Sequence, residues 1–195
     1  MADEDAALWD REAERFDEAA DHGLRDPDVR AAWRTLLEGH LPAAPARVAD
    51  LGCGTATLSV LLAEGGFTVD AVDFSPRMVA LARAKAADEP AVTVVQGDAY
   101  DPPLPARDYD VVLSRHVLWA MPDPRVALDR WRRLLRPGGR LVLVEGRWST
   151  GAGLSAEETV SLVEAAGWQA ELVRLTDPAY WGRTVDDDRY LVRAG

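Results

Sequence analysis

Val48-Ala49-Asp50-Leu51-Gly52-Cys53-Gly54, continued by Thr55 to Leu62, is the stretch on which the reading of this chain turns. The mostly apolar run from Arg47 to Leu51 ends in two glycines one residue apart, after which Leu58, Leu61 and Leu62 recur at helical spacing. Strand, tight glycine turn and helix in direct succession make half of a nucleotide-binding βαβ unit.

Which nucleotide the turn receives depends on Asp50. In a dinucleotide fold the glycine turn and the helix N-terminus hold a pyrophosphate, and a carboxylate at the strand exit would repel it. A ligand bearing positive charge fits better. S-adenosylmethionine (SAM) carries a sulfonium and an ammonium, and Gly52 and Gly54, lacking a Cβ, permit close approach of the backbone. Phe67 to Asp73 reads as the next strand. Its last residue lies about 20 positions beyond the first glycine, where nucleotide folds place the carboxylate that accepts from both ribose hydroxyls. Ser75 is a good N-cap and Pro76 suits the first helical position.

Asp50-Leu51-Gly52-Cys53-Gly54-Thr55 resembles the first motif of the class I SAM-dependent methyltransferases, with Ala56 where the third of three alternate glycines usually stands. Val72 to Met78 resembles the second motif. Ala91 to Gln96 is a third strand ending at Gly97-Asp98-Ala99, and Tyr109 to Ser114 a fourth, opening into Arg115-His116-Val117-Leu118-Trp119. A helix over Arg125 to Leu135 stops at Pro137-Gly138-Gly139 and leads into a fifth strand, Arg140 to Glu145. From Asp108 to Val144 the order of motifs is similar to that of the methyltransferases of ubiquinone and menaquinone biosynthesis.

The resemblance implies a donor-binding set of Asp50, Gly52, Cys53, Gly54, Asp73, Phe74, Met78, Asp98, Ala99, Ser114 and Arg115. In it Phe74 packs on the adenosine, and Asp98 and Ala99 meet the adenine edge as acceptor and backbone donor. By spacing alone Met78 is equally a core residue, and Cys53 a small turn residue. The methyl group of Ala56 is expected near the donor's methionine end.

Upstream, Ala7, Leu8, Trp9, Ala13 and Phe16 fall at helical spacing over residues 6–20, and a second helix spans Asp28 to Gly39. In small methyltransferases of this type such a helical pair forms a lid. Trp9, Phe16 and His22 are candidates for its inner face, or the aromatics only pack the helix onto the sheet. Downstream, Ser155 and Glu158 form a capping box for a helix to Ala166. Trp168 to Leu175 and Arg189 to Val192 have strand composition and would pair antiparallel at the sheet's edge, joined by the aromatic loop Asp177 to Gly182. That loop walls an acceptor pocket or caps the core.

The expected fold is therefore α/β and Rossmann-like: a seven-stranded, mostly parallel sheet with one antiparallel strand, helices on both faces, and one domain over residues 1–195 with a lid at 1–45 and a core at 46–195.

With 33 acidic and 22 basic residues the net charge is −11, and no basic run exceeds Arg132-Arg133, which argues against a nucleic-acid partner. One cysteine excludes an internal disulfide and a multi-cysteine zinc site, and no metal is expected. No apolar run approaches the roughly 18 residues of a membrane span, so a cytoplasmic protein, monomer or homodimer, is expected. The richness in Ala, Arg, Pro and Gly fits a bacterial coding bias.

The function expected is methyl transfer from SAM, leaving S-adenosylhomocysteine, to a small-molecule acceptor by in-line displacement, which asks mainly for alignment and exclusion of water. His116, at the end of the fourth strand, is the candidate base. Trp119, Trp148 and Trp181, with Trp9, Phe16 and His22, are the candidate acceptor-binding residues, since aromatic faces hold flat or cationic groups. The competing readings are a non-catalytic SAM-binding module, suggested by Ala56, and a nicotinamide-dependent oxidoreductase, disfavoured by Asp50.

Overall fold

Val48, Ala49 and Leu51 are completely shielded from solvent, as expected of a strand at the centre of a sheet covered on both faces. The computed structural model describes the backbone from residue 2 and side chains from residue 6 to the C-terminus. Strand β1 (Arg47–Leu51) pairs in parallel with β2 (Thr68–Asp73) on one side and β4 (Tyr109–Arg115) on the other. Outward from β2 lies β3 (Val92–Gln96). Outward from β4 lie β5 (Leu135–Arg147), β7 (Asp188–Ala194) and β6 (Ala170–Arg174). The order is β3-β2-β1-β4-β5-β7-β6, and β7, antiparallel to both its neighbours, is the one reversed strand, as expected from the sequence. Strand order reverses between β1 and β4, so a crevice opens beyond their carboxyl ends.

Each face has its own apolar core. Leu36 and Leu37 of α3 (Pro27–His40) and Leu58 and Leu61 of α4 (Thr57–Glu64) pack with Val48, Val111 and Leu113. On the other face Leu128 and Trp131 of α6 (Pro124–Leu134) and Val163 of α7 (Ala156–Ala165) pack with Ala49, Leu51 and Val112. Helix α5 (Pro76–Lys85) follows β2, capped by Ser75, whose Oγ accepts from Met78 N. The capping box at Ser155 and Glu158 is formed. Among the described residues no helix is long and apolar enough to cross a membrane.

Three details depart from expectation. The single helix over residues 6–20 is instead α1 (Ala2–Glu12), a 3-10 turn at Phe16–Glu18 and a four-residue α2 (Ala20–Gly23). Helical spacing persists in the sequence, but Asp17 is drawn onto Thr55 and Lys85 of the core, and Ala19 is extended (φ −68°, ψ 133°). Tertiary contacts override the local preference. Second, Leu135 does not end α6 but starts β5, where residues 136–139 bulge out between the pairs Tyr109 with Leu135 and Val111 with Arg140.

The third is Ala56. It takes the left-handed conformation (φ 61°, ψ 27°) that glycine adopts freely, at the N-cap of α4, and it is fully buried in the α3/α4 core. Its methyl group thus adds to the core rather than to the donor side of the turn. The backbone strain, roughly 1 kcal/mol, is comparable to what glycine would lose in unfolded-state entropy and buried methyl area. Ala56→Gly should therefore change the urea-unfolding free energy by less than about 1 kcal/mol, whereas Ala56→Val, β-branched at positive φ, should cost about 1–3 kcal/mol.

Candidate active site

At the carboxyl end of β1 the chain turns through Gly52 (φ 73°) and Gly54 (φ 56°). The N–H groups of Gly52 and Cys53 both donate to the Val72 carbonyl, at 2.8 and 3.0 Å. The Asp73 carboxylate bridges two elements: Oδ2 accepts from Gly54 N and Oδ1 from Ser75 N, each at 2.9 Å. A Cβ on Gly52 would stand 2.4 Å from Val117 Cγ2, and one on Gly54 would stand 2.9 Å from the Phe16 ring, so neither position admits a side chain. Beneath the turn Asp50, buried, accepts a hydrogen bond from Ser59 Oγ at 2.6 Å.

Burial pushes both carboxyls up to about 6. For Asp50 the Ser59 bond and Arg115 oppose the shift; for Asp73 the backbone N–H groups oppose it and the neighbouring Asp50 adds to it. Two partly desolvated carboxyls side by side make a place where a cationic ligand would be stabilised. The Cys53 thiol is raised well above its ordinary value by burial and by both aspartates, which makes it inert as a nucleophile. Of the other residues implied for donor binding, Phe74 is half-buried after β2 and Asp98 is exposed, its Oδ1 accepting from Tyr100 N at 2.8 Å. Met78 is 1% exposed and packs as core, and Ala99 is buried with its carbonyl on Trp131 Nε1 at 2.7 Å.

The N-terminal segment crosses this end of the sheet. Asp10 Oδ1 accepts from Ser75 Oγ and Arg77 N, and Asp17 pairs with Lys85 Nζ at 2.7 Å. Between these ties Phe16 lies over Gly54 and stacks on His22, with ring centroids 4.3 Å apart and planes 17° from parallel. Trp9 meets the edge of Phe16 at 6.3 Å.

Beyond β4 a second wall forms. His116, in the left-handed region (φ 61°), lies 6.3 Å from His22, 5.2 Å from Trp148 and 6.4 Å from Trp181 between ring centroids, and Trp119 lies 5.5 Å from Trp148. All six candidate acceptor residues thus form one chain of aromatic contacts around His116. Trp181 is 2% exposed and belongs to the core as well, so the Asp177–Gly182 loop both caps the core and lines the wall.

Ser114 and Arg115 belong to the set implied for donor binding, whereas Arg189 and Glu145 had no signal in the sequence beyond their residue type. Arg115 donates through Nη1 to the Asp21 carbonyl and lies 5.2 Å from the Trp33 ring. Arg189, paired with Asp187 at 2.9 Å, lies over Trp181 and Trp148 at 4.9 and 5.5 Å. Glu145, fully buried, accepts from Val117 N (3.0 Å) and Leu118 N (2.8 Å) through Oε1, and its Oε2 has no partner. The Ser114 hydroxyl and His116 Nε2 are likewise buried without a partner.

Burial, then Arg115, holds His22 down at about 4; burial, then Arg115, His22 and Arg189, holds His116 well below the usual imidazole range. Both rings are neutral at neutral pH. Burial pushes Glu145 up to about 8 against its two backbone bonds, so it is a neutral acid there. His40, in the last turn of α3, is lowered too, first by burial, and its Nδ1 is unpartnered.

This sheet order, with an acid-flanked glycine turn after β1 and an acid ending β2, is that of one class: the chain belongs to the class I SAM-dependent methyltransferases. A family model described as a methyltransferase domain matches residues 49–143. The chain is 31% identical over 176 residues to a demethylmenaquinone methyltransferase of Streptomyces avermitilis, covering 90% of this chain and 74% of that protein. It is 38% identical over 114 residues to a demethylmenaquinone methyltransferase of Clavibacter sepedonicus, covering 58% of this chain and 46% of that one. Against that relative and others like it the chain spans less than half of their length. Among solved structures, a SAM-dependent methyltransferase from Aquifex aeolicus superposes with a TM-score of 0.73 at 18% identity, over 95% of this chain and 97% of that one.

Glu145 gives the site a measurable titration. Its unfolded value is about 4.3 and its folded value about 8, so between these the folded state holds a proton that the unfolded state has lost, and stability falls as pH rises. The lowered histidines, still about a quarter protonated in the unfolded state at pH 7, oppose this fall up to about pH 7.5, and the raised Cys53 thiol adds to it from about pH 8. The contribution of Glu145 is therefore a difference between two proteins: from about pH 6 to 8 the urea-unfolding free energy of the wild type should fall by up to about 1 kcal/mol per unit more steeply than that of Glu145→Gln, which keeps an acceptor for the two N–H groups, and the difference should level off by about pH 9.

Proposed function

We propose that this chain transfers the methyl group of SAM to a small-molecule acceptor, with the donor in the crease lined by Asp50, Gly52, Gly54 and Asp73 and the acceptor in the aromatic wall around His116. The observation that carries this reading is the Asp73 carboxylate at the mouth of the β1/β4 crevice, fixed by two backbone N–H groups and still offering a lone pair on each oxygen for the ribose hydroxyls. Bound there, SAM would supply an electrophilic methyl carbon whose displacement leaves the neutral thioether of S-adenosylhomocysteine.

The protein's part is alignment and exclusion of water. Residues 1–45 act as a lid: Asp10 and Asp17 tie the segment to Ser75, Thr55 and Lys85, and Phe16 closes over the glycine turn. Asp98, Ala99 and Phe74 flank the adenine, and Ser114 and Arg115 stand at the exit of β4, between the two halves. His116 presents a neutral, unpartnered Nε2 to the acceptor and takes a hydrogen bond or proton from its O–H or N–H. Arg115 and Arg189 bring two positive charges to the same wall, which favours an acceptor atom carrying negative charge or an ionisable hydroxyl over a protonated amine.

Isothermal titration with SAM, followed by transfer of labelled methyl to a panel of phenols, carboxylates, thiols and amines, tests the reading. Saturable SAM binding with turnover of any acceptor supports it. Binding without turnover across the panel favours a SAM-binding module, and binding of a nicotinamide dinucleotide in place of SAM overturns the assignment. Asp73→Asn should weaken SAM binding by about 1–3 kcal/mol, read by the same titration, through loss of a charged acceptor. His116→Ala should lower turnover more than it lowers SAM affinity; equal rates in variant and wild type would remove His116 from the chemistry.

A further inference from the structure

Asp21 and His22, on the short helix α2, and His116, just beyond β4, each place one ligand-type atom within 4.8 Å of the other two. His22 Nε2 stands 3.6 Å from Asp21 Oδ2, too long for a hydrogen bond, and the buried Nε2 of His116 has no protein partner. A buried imidazole nitrogen left unpaired is costly unless something else takes its lone pair. Nothing in the aromatic wall supplies a donor to it.

We propose that Asp21, His22 and His116 form a binding site for a divalent transition-metal ion of the zinc type, with an open coordination position toward the acceptor pocket.

The donor set fits such an ion. Two imidazole nitrogens and one carboxylate oxygen suit zinc and its first-row neighbours rather than magnesium or calcium, which prefer all-oxygen shells. Three protein ligands leave at least one position free, the arrangement of catalytic rather than structural zinc.

The surroundings hold the ligands in place. Arg115 Nη1 donates to the Asp21 carbonyl, fixing α2 against the strand end, and Trp119 Nε1 donates to the His116 carbonyl at 2.9 Å. A Cβ on Gly23 would stand 2.2 Å from the Asp17 carbonyl oxygen, so the close fold-back that places Asp21 and His22 depends on glycine there. The left-handed backbone of His116 is the kind of local strain that persists where a side chain must be aimed.

Two guanidinium groups, Arg115 and Arg189, stand near the site and oppose a bare cation. Each has acidic company: Arg189 pairs with Asp187 at 2.9 Å, and Arg115, lowered by burial, has Asp21, Asp50 and Asp17 near enough to oppose that shift. Their net effect is on the free position, where they select an anionic oxygen as the ion's remaining ligand. The ion would also link the N-terminal segment to the sheet, because two of its ligands come from one and the third from the other. This inference rests on the proposed reading of the pocket as the acceptor site, with one change of role: when the ion is bound, His116 Nε2 is its ligand rather than a base, and the ion's free position receives the acceptor's oxygen. Its test does not depend on that reading.

The test is calorimetric titration of the full-length, chelator-stripped protein with zinc chloride, alongside SAM titration of the same stripped protein. One zinc ion per chain is expected, with affinity reduced about 10- to 100-fold or more in His22→Gln, His116→Gln and Asp21→Asn, and unchanged in His40→Ala, a histidine outside the cluster. Thermal unfolding in the absence of metal shows whether each variant folds, and Asp21→Asn, the mildest of them, keeps the comparison usable if a histidine variant does not. Cobalt(II) loading should give visible ligand-field bands that His22→Gln removes. No binding at millimolar zinc, or binding equally tight in all three variants, would overturn the site. Retained SAM binding with no zinc site would sink only this proposal, and a zinc site without SAM binding would sink only the donor assignment.

Discussion

The fold's working end depends on the pair of hydrogen bonds made by Asp73. One oxygen holds Gly54, the last residue of the turn after β1; the other holds Ser75, the cap of α5. A single side chain at the end of β2 thus fixes two loops that would otherwise be set only by their own backbones. Burial, with Asp50 beside it, makes it a weaker acid, raising its pKa to about 6, so the unliganded protein holds the carboxylate in surroundings that disfavour its charge. Such frustration at one place in an otherwise consistent core is expected of a site built for a charged ligand rather than for stability.

Much of this architecture could be read from the amino-acid order. All seven strands were found at their places along the chain, because apolar runs closed by turn residues mark them; the bounds of β5, which begins at Leu135 and runs through a bulge, were not. The first residues of the chain were the least legible. Their apolar spacing fits one helix, yet Asp10 and Asp17 bind polar groups 65 and 38 residues away in sequence, and no local pattern announces such a partner. Ala56 was misread for a related reason: the motif reveals that a glycine is missing, but only the backbone shows that alanine takes the same left-handed turn and faces the core.

The aromatic wall around His116 was legible as a set of residue types but not as a geometry. Tryptophan and histidine stand out in any sequence, and His22, His116, Trp148 and Trp181 do converge. Glu145, Asp21 and Arg189 do not stand out, since a chain with 33 acidic and 22 basic residues offers many alternatives. What distinguishes them is burial, a property of the pairing between β5 and β7 and of the fold-back at Gly23, both set by contacts distant in sequence.

The two walls are held by different means. On the sheet side the N–H of His116 donates to the Val144 carbonyl at 2.8 Å, and those of Val117 and Leu118 donate to Glu145 Oε1, so three successive backbone donors are captured by the end of one strand. That captures a left-handed histidine whose backbone alone would cost on the order of 1 kcal/mol, and it fixes the direction of the imidazole. The opposite wall hangs largely on side-chain ties from Asp10, Asp17 and Arg115. A reaction governed by alignment needs one rigid reference surface, and a closed pocket needs one wall that can be released without unfolding the sheet. On the proposed reading, a backbone-held wall at the end of β4 and a side-chain-held wall on the N-terminal segment would meet both demands, because local opening follows the contacts that are individually weakest.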